Sequence, residues 1–148
     1  DLFVLTQRYS TALGCIMTDI DFFRDFNTLY GHPTGDWVLR EVSSLIKNQM
    51  REGDIVARYG GEEFVILLPM TELQGAAELA ERLRLEVEKR IWEHPSHGKL
   101  HITISFGVAL YPAPYIKTAD ELVECADKAL YQAKNNGRNR VELYCERV

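Results

Sequence analysis

Asp19 and Asp21 flank Ile20 at the end of an apolar run, and Glu62 and Glu63 follow directly on Gly60 and Gly61 between two further apolar runs. Carboxylates gathered at strand ends and at a turn suit a hard divalent cation. Mg²⁺ prefers oxygen ligands, keeps several waters and is commonly shared with substrate phosphates. Two such ions can flank an in-line displacement at phosphorus. On composition alone, Glu62 and Glu63 read more readily as solvated turn residues. The glycines also carry two readings. They make a tight turn by tolerating positive φ, or their missing side chains let a flat base or a phosphate approach the backbone. His94, His97 and His101 lie around Pro95, but they lack a ligand spacing and a fourth ligand, so they do not read as a zinc site.

These residues need elements to position them. Ala12 to Ile20 reads as a buried strand with carboxylates at its C-terminal end. Phe22 to Tyr30 reads as a short helix stopped by Gly31, and a second helix runs from about Gly35 to Met50 with Val38, Val42, Leu45 and Ile46 on one face. Ile55–Tyr59 and Phe64–Leu68 read as a hairpin turning at Gly60-Gly61, with Pro69 ending it. Thr71 and Gln74 form a capping box for a helix that buries residues from Leu73 to Ile91. Leu100 to Leu110 alternates, which predicts one strand with Ile102, Ile104, Phe106 and Val108 on the core face and Thr103 and Ser105 opposite. Thr118 and Glu121 open a further helix closed by Asn135-Asn136-Gly137, and Val141 to Tyr144 is a last short strand. The order β-α-α-β-β-α-β-α-β predicts an α+β fold, a mixed sheet with helices packed on it.

Composition bounds the reading further. The chain has 148 residues, 46% apolar and 26% charged, which suits one globular domain over residues 1–148. Lysine and arginine number 17 against 22 aspartates and glutamates, a net charge of −5 that disfavours duplex nucleic acid or an anionic membrane as partner. It does not disfavour a phosphorylated small molecule held through a metal. Cys15, Cys125 and Cys145 form no CxxC pair and read as reduced packing residues of a cytoplasmic protein. Trp37 and Trp92 read as packing residues too. No apolar run approaches the ~20 residues of a membrane span. The chain opens at Asp1 without an initiator Met or leader, which reads as a piece of something longer.

The motifs are more specific than the composition. Arg58-Tyr-Gly-Gly-Glu-Glu-Phe64 resembles the signature of the GGDEF family of diguanylate cyclases, in its GGEEF form. Asp19-Ile-Asp-Phe-Phe-Arg24 is similar to the family's DIDxFK segment, and Asn27, Gly31-His32 and Gly35-Asp36 are similar to its N…GHxxGD stretch. Thr103-Ile-Ser-Phe-Gly-Val108 resembles its TISxGV strand, and Asp127 to Asn139 resembles its DxALYxAKxxGRN ending. The blocks run in the family's order from about residue 12 to 145.

The resemblance implies a central, mostly antiparallel five-stranded sheet surrounded by helices, similar to nucleotidyl cyclase and polymerase palm domains. It implies condensation of two GTP into cyclic di-GMP with release of two pyrophosphates, by two domains facing each other as a homodimer. Mg²⁺ or Mn²⁺, two per half-site, is the implied cofactor, held by the Asp19 and Glu62 carboxylates and the Ile20 carbonyl. Glu63 takes a general-base role on the 3′-hydroxyl, alongside Glu62 in the catalytic pair. Asn27 and Asp36 read the guanine edge, where an acceptor for the ring N–H and the exocyclic amine rejects adenine. Lys134 and Arg138 bind the terminal phosphates. Phe22, Phe23, Arg24, His32, Gly60 and Gly61 complete the implied substrate site, with backbone N–H groups after Phe22 facing phosphate. Arg51 and Asp54 resemble the family's RxxD product-inhibition site, with Arg82 or Arg84 as a second arginine. An upstream sensor domain is the implied partner in the full-length protein.

Departures from the pattern are local. Arg24 stands where the family usually has Lys, and Thr28 where it usually has Asp. The family's DxLTGLxNRR stretch is not recognisable in Asp1 to Leu13, which questions the activity of this stretch of chain alone. A catalytically silent domain sensing cyclic di-GMP or GTP is the alternative function. A metal-dependent cyclase or polymerase of another nucleotide fits by analogy alone.

Overall fold

The computed structural model describes residues 2–9 and 11–145. Its centre is β1 (Leu13–Ile20), and every residue of that strand is buried. A run without polar alternation belongs in the middle of a sheet covered on both faces. The elements follow in the order α1 (Leu2–Tyr9), β1, α2 (Phe23–Tyr30), α3 (His32–Asn48), β2 (Ile55–Arg58), β3 (Glu63–Pro69) and α4 (Leu73–Lys89). Then come β4 (Trp92–His94), β5 (Gly98–Leu100), β6 (Ile104–Tyr111), α5 (Ala119–Asn135) and β7 (Val141–Leu143). The five-stranded sheet has the order β2-β3-β1-β6-β7, antiparallel except for the parallel β6–β7 pair. This is the predicted α+β plan.

Side chains alternate across the sheet into two cores. Ile16, Ile20, Phe64, Ile66 and Phe106 meet the apolar faces of α3 and α4. Cys15, Met17 and Ala109 meet α1 and α5 on the other face. Gly107 sets the second packing distance: a Cβ there would stand 2.2 Å from both the Ala126 carbonyl oxygen and the Leu130 backbone nitrogen. Only glycine lets α5 lie this close to β6.

Several expectations need correction. The alternation from Leu100 to Leu110 is not one strand: Leu100 ends a separate β4–β5 hairpin, and β6 starts at Ile104. Ser105 is as buried as Phe106, because α5 covers the face expected to be polar. Helix α3 begins at His32, with Pro33 in its first turn, where a missing N–H costs nothing. The capping box at Thr71 does not form. Glu72 is the N-cap of α4 without a side-chain bond, and the Thr71 hydroxyl accepts from Arg51 at 2.7 Å and donates to the Pro69 carbonyl at 3.0 Å. The capping box at Thr118 and Glu121 does form. Ile91 lies beyond α4 and is exposed. Helix α1 has no counterpart in the sequence reading. Cys145 is exposed and does not pack, whereas Cys15 and Cys125 are buried.

Candidate active site

The C-terminal end of β1 brings the acidic residues together. Asp19 pairs in register with Glu63 of β3 on one side and Ser105 of β6 on the other. The Ile20 N–H donates to the Glu62 carbonyl at 3.4 Å, which ties the β2–β3 turn to the same spot. Burial pushes the Asp19 carboxyl up to about 6, against the pull of Lys134 and with a further rise from Glu62 and Glu63. Glu63 is raised as well, first by burial and then by Asp127. The Lys134 ammonium, from the last turn of α5, donates to Asp19 Oδ2. Three carboxylates with a single close lysine form an anionic pocket that a cation would relieve. Among the described residues no three His, Cys, Asp or Glu side chains gather into a metal cage of their own. Mg²⁺ does not require one: one or two carboxylates, waters and substrate phosphates suffice. Asp19, Glu62 and the Ile20 carbonyl therefore fit as a partial ligand set.

Beside the acids a cavity of about 490 Å³ opens between α2, α3 and the β2–β3 turn. Asn27, Asp36, His32, Arg24, Gly61 and Glu62 line it, so part of the predicted nucleotide set shares a space with Glu62, whereas Phe22, Gly60, Lys134 and Arg138 do not line this cavity. The Asn27 Oδ1 is buried there without a hydrogen-bond partner. A buried orphan acceptor is costly unless something else satisfies it. Its place depends on Gly35, where a Cβ would stand 1.8 Å from that oxygen. Phe23 lines the cavity but is buried in the core, whereas Phe22 is exposed with φ 57°. The Arg138 guanidinium lies 4.6 Å from the Phe22 ring centroid. Gly60 and Gly61 do not carry positive φ, so the turn does not require glycine for that reason. A Cβ on Gly61 would meet nothing within 4 Å, so this glycine leaves open space at the cavity wall. Arg58, unremarked in the sequence beyond its motif, also lines the cavity and donates to the Gly61 carbonyl.

Residues 4–140 match the family described as diguanylate cyclase, GGDEF domain. The chain belongs to the GGDEF family. Diguanylate cyclase A of Treponema denticola is 47% identical over 132 residues, which are 89% of this chain and 35% of that protein. Response regulator PleD of Caulobacter vibrioides is 41% identical over 131 residues, 87% of this chain and 28% of that protein. The chain thus spans about a third of these curated relatives, 35% and 28% of their lengths. The solved GGDEF domain of DgcB from Caulobacter crescentus, in complex with c-di-GMP, aligns with a TM-score of 0.91 at 35% identity, covering 97% of this chain and 84% of that one. The active GGEEF domain of a diguanylate cyclase from Vibrio cholerae aligns with a TM-score of 0.90 at 32% identity, covering 99% of this chain and 91% of that one.

This GGDEF domain carries a second cavity, of about 360 Å³, at the end of the β2–β3 hairpin away from its turn. Arg51, Asp54 and Arg82 line it. The Arg51 N–H donates to Asp54 Oδ2 at 2.8 Å, and Asp54 Oδ1 is buried without a partner. Arg84 is not part of this cavity. It pairs with Glu81 and Glu88 and donates to Asn139. The three histidines hold no common centre: His94 and His97 stack with Trp37 and Tyr30 in an aromatic cluster, and Trp92 is buried with its indole N–H donating to the Val87 carbonyl.

Proposed function

We propose that this chain is the catalytic domain of a diguanylate cyclase, taking one GTP per chain and condensing two across a homodimer. The observation that carries the reading is the cavity shared by Asn27, Asp36 and Glu62, with Asp19 and Glu63 paired in register where the same turn joins the sheet. The orphan Asn27 Oδ1 and the Asp36 carboxylate accept from the ring N–H and exocyclic amine of guanine, which adenine cannot match. Asp19, Glu62 and the Ile20 carbonyl hold the divalent cations, two Mg²⁺ or Mn²⁺ per half-site. Mg²⁺ or Mn²⁺ held there would supply charge neutralisation of the triphosphate and polarisation of the α-phosphate. Lys134 exchanges its Asp19 partner for phosphate oxygens, and Arg138 binds the terminal phosphates. Glu63, whose carboxyl is raised by burial, takes the 3′-hydroxyl proton. The hydroxyl oxygen then attacks the α-phosphorus of the facing nucleotide, the α–β phosphoanhydride bond breaks, and pyrophosphate leaves. Open space at Gly61 leaves room for the nucleotide beside the backbone.

Arg51, Asp54 and Arg82 form the product-inhibition site in this reading, since arginine forks suit guanine and phosphate edges. Among the described residues no helix is long and apolar enough to cross a membrane. The proposed setting is the cytoplasm, downstream of a sensor domain in the whole protein. Incubation of the concentrated domain with GTP and Mg²⁺, read by liquid chromatography with mass detection, tests the reading. Cyclic di-GMP from the wild type and none from Glu62→Ala is the expected result. Silence that persists after fusion to a dimerising segment, with cyclic di-GMP still bound at Arg51, would replace the enzyme by a sensor.

A further inference from the structure

Asp21 is the carboxylate that the cyclase reading leaves without a task. It is buried, yet both oxygens are engaged. Oδ2 accepts from the Thr103 hydroxyl at 2.7 Å and from the Asn139 N–H at 3.0 Å, and Oδ1 accepts from the Ser105 hydroxyl at 2.6 Å. Its own N–H donates to the Thr103 carbonyl at 2.9 Å. Three hydrogen bonds from Thr103, Ser105 and Asn139 tie this carboxylate into the protein, although it stands only two residues from Asp19.

Its partner Asn139 is held from the other side as well. Asn139 Oδ1 accepts from Arg84 Nη1 at 3.1 Å, and Nδ2 donates to Glu88. Arg84 and Glu88 are themselves paired on α4. Between Asn139 and the end of α5, Arg138 has φ 63° and Asn139 φ 47°. Non-glycine residues keep such backbone only where the surroundings over-determine it. Here the surroundings are Asp21 below and α4 above. The product of this fixation is the Arg138 guanidinium lying over Phe22, the residue next to Asp21 and itself at φ 57°. Asp21 therefore constrains both partners of that stack, one through the chain and one through a hydrogen bond.

We propose that Asp21 and Asn139 form a strut, anchored on α4 by Arg84 and Glu88, that positions Arg138 for the terminal phosphates of the nucleotide. The inference rests on the GTP reading above and assigns positioning residues, not catalytic ones. An arm held before binding leaves less ordering entropy to be lost when the ligand arrives.

Calorimetric titration with GTP, supplied as the 3′-deoxy analogue that lacks the attacking hydroxyl, and with guanosine, both in Mg²⁺, tests it on the wild type, Asn139→Ala, Arg138→Ala and the double variant. Guanosine lacks the phosphates that Arg138 would meet, so it reports the integrity of the base pocket. The expected result is a loss of about tenfold in GTP affinity for Asn139→Ala, which keeps the N–H to Asp21 but removes both side-chain bonds to α4, with guanosine affinity unchanged. The same substitution adds nothing in the Arg138→Ala background, because coupled residues are not additive. Arg84→Ala, which loosens the anchor from α4, shifts GTP affinity in the same direction by a smaller factor. An Asn139→Ala loss that is equal for guanosine and GTP, or that persists in full beside Arg138→Ala, overturns the strut. Full GTP preference retained in Asn139→Ala overturns the strut alone. A wild type that binds GTP no better than guanosine overturns the GTP reading, and the strut with it.

Discussion

Replacing Gly35 with alanine separates nucleotide recognition from stability. Gly35 lies inside α3 without positive φ, so alanine there favours the helix by about 1 kcal/mol. The added Cβ would stand 1.8 Å from Asn27 Oδ1, 2.9 Å from its Cγ and 3.1 Å from Phe23 Cζ. The phenyl edge needs to give only a few tenths of an ångström, but the carboxamide must leave its place. Its Oδ1 has no partner to lose, so the displacement costs the fold little. The propensity gain and the Phe23 strain roughly offset, and the melting temperature should change little. The guanine contact is different: one or two hydrogen bonds at about 1 kcal/mol each disappear, roughly a 5- to 30-fold loss of affinity. Calorimetric titration with GTP beside a thermal melt reads both quantities. A folded Gly35→Ala protein that binds GTP as tightly as the wild type would refute the assignment of Asn27 to the guanine edge.

Gly107→Ala should behave oppositely, because its Cβ meets the α5 backbone at 2.2 Å. Backbone cannot yield as a side-chain tip does, so a loss of about 3 kcal/mol or more is expected in denaturant unfolding, and a loss under about 1 kcal/mol would show that α5 can shift outward. Gly61→Ala meets nothing within 4 Å. It should leave stability within about 0.5 kcal/mol while lowering cyclase activity, and unchanged turnover would remove that glycine from the site. Folding raises the Asp19 carboxyl from 3.8 to about 6. Between those values the native protein holds a proton that the unfolded chain has released, so this group's contribution to stability falls as pH rises through that window. Asp19→Asn should therefore gain thermal stability relative to the wild type from pH 4 to above 6, measured without divalent metal; a constant offset across the window would contradict the burial argument. Arg82→Ala should relieve inhibition by added cyclic di-GMP, and Arg84→Ala should not. Equal relief in progress curves of the two variants would contradict the division of α4 into two faces.

The regular elements were legible because their patterns are local. The unbroken apolar run of β1, the helical spacing in α3, α4 and α5, and the Thr118–Glu121 cap all appear where the residues lead one to expect them. The candidate cavity was legible only through the family resemblance, since nothing in periodicity brings Asn27 and Asp36 to the same space as Glu62. The β4–β5 hairpin escaped because the alternation of Leu100, Ile102 and Ile104 runs on across the break between β5 and β6, and helix α1 escaped because Leu2–Tyr9 matches no motif of the family. The buried Ser105 escaped because alternation reports polarity and not what packs above it.

Sequence alone determined which residue types stand at each strand end, and so the chemical vocabulary: carboxylates, a carboxamide, paired glycines and two cations around the end of α5. Tertiary structure decided which of them speaks to a ligand. Asp19 and Asp21 are near neighbours in the chain, but only Asp21 meets the Thr103 and Ser105 hydroxyls and the Asn139 N–H, which hold it in place. Arg82 and Arg84 point about 160° apart on one helix, and the packing of α4 against the sheet alone sends one to the product cavity and the other to Asn139. A side chain's role depends on the partners that reach it from distant parts of the chain, and those partners are fixed by packing rather than by spacing.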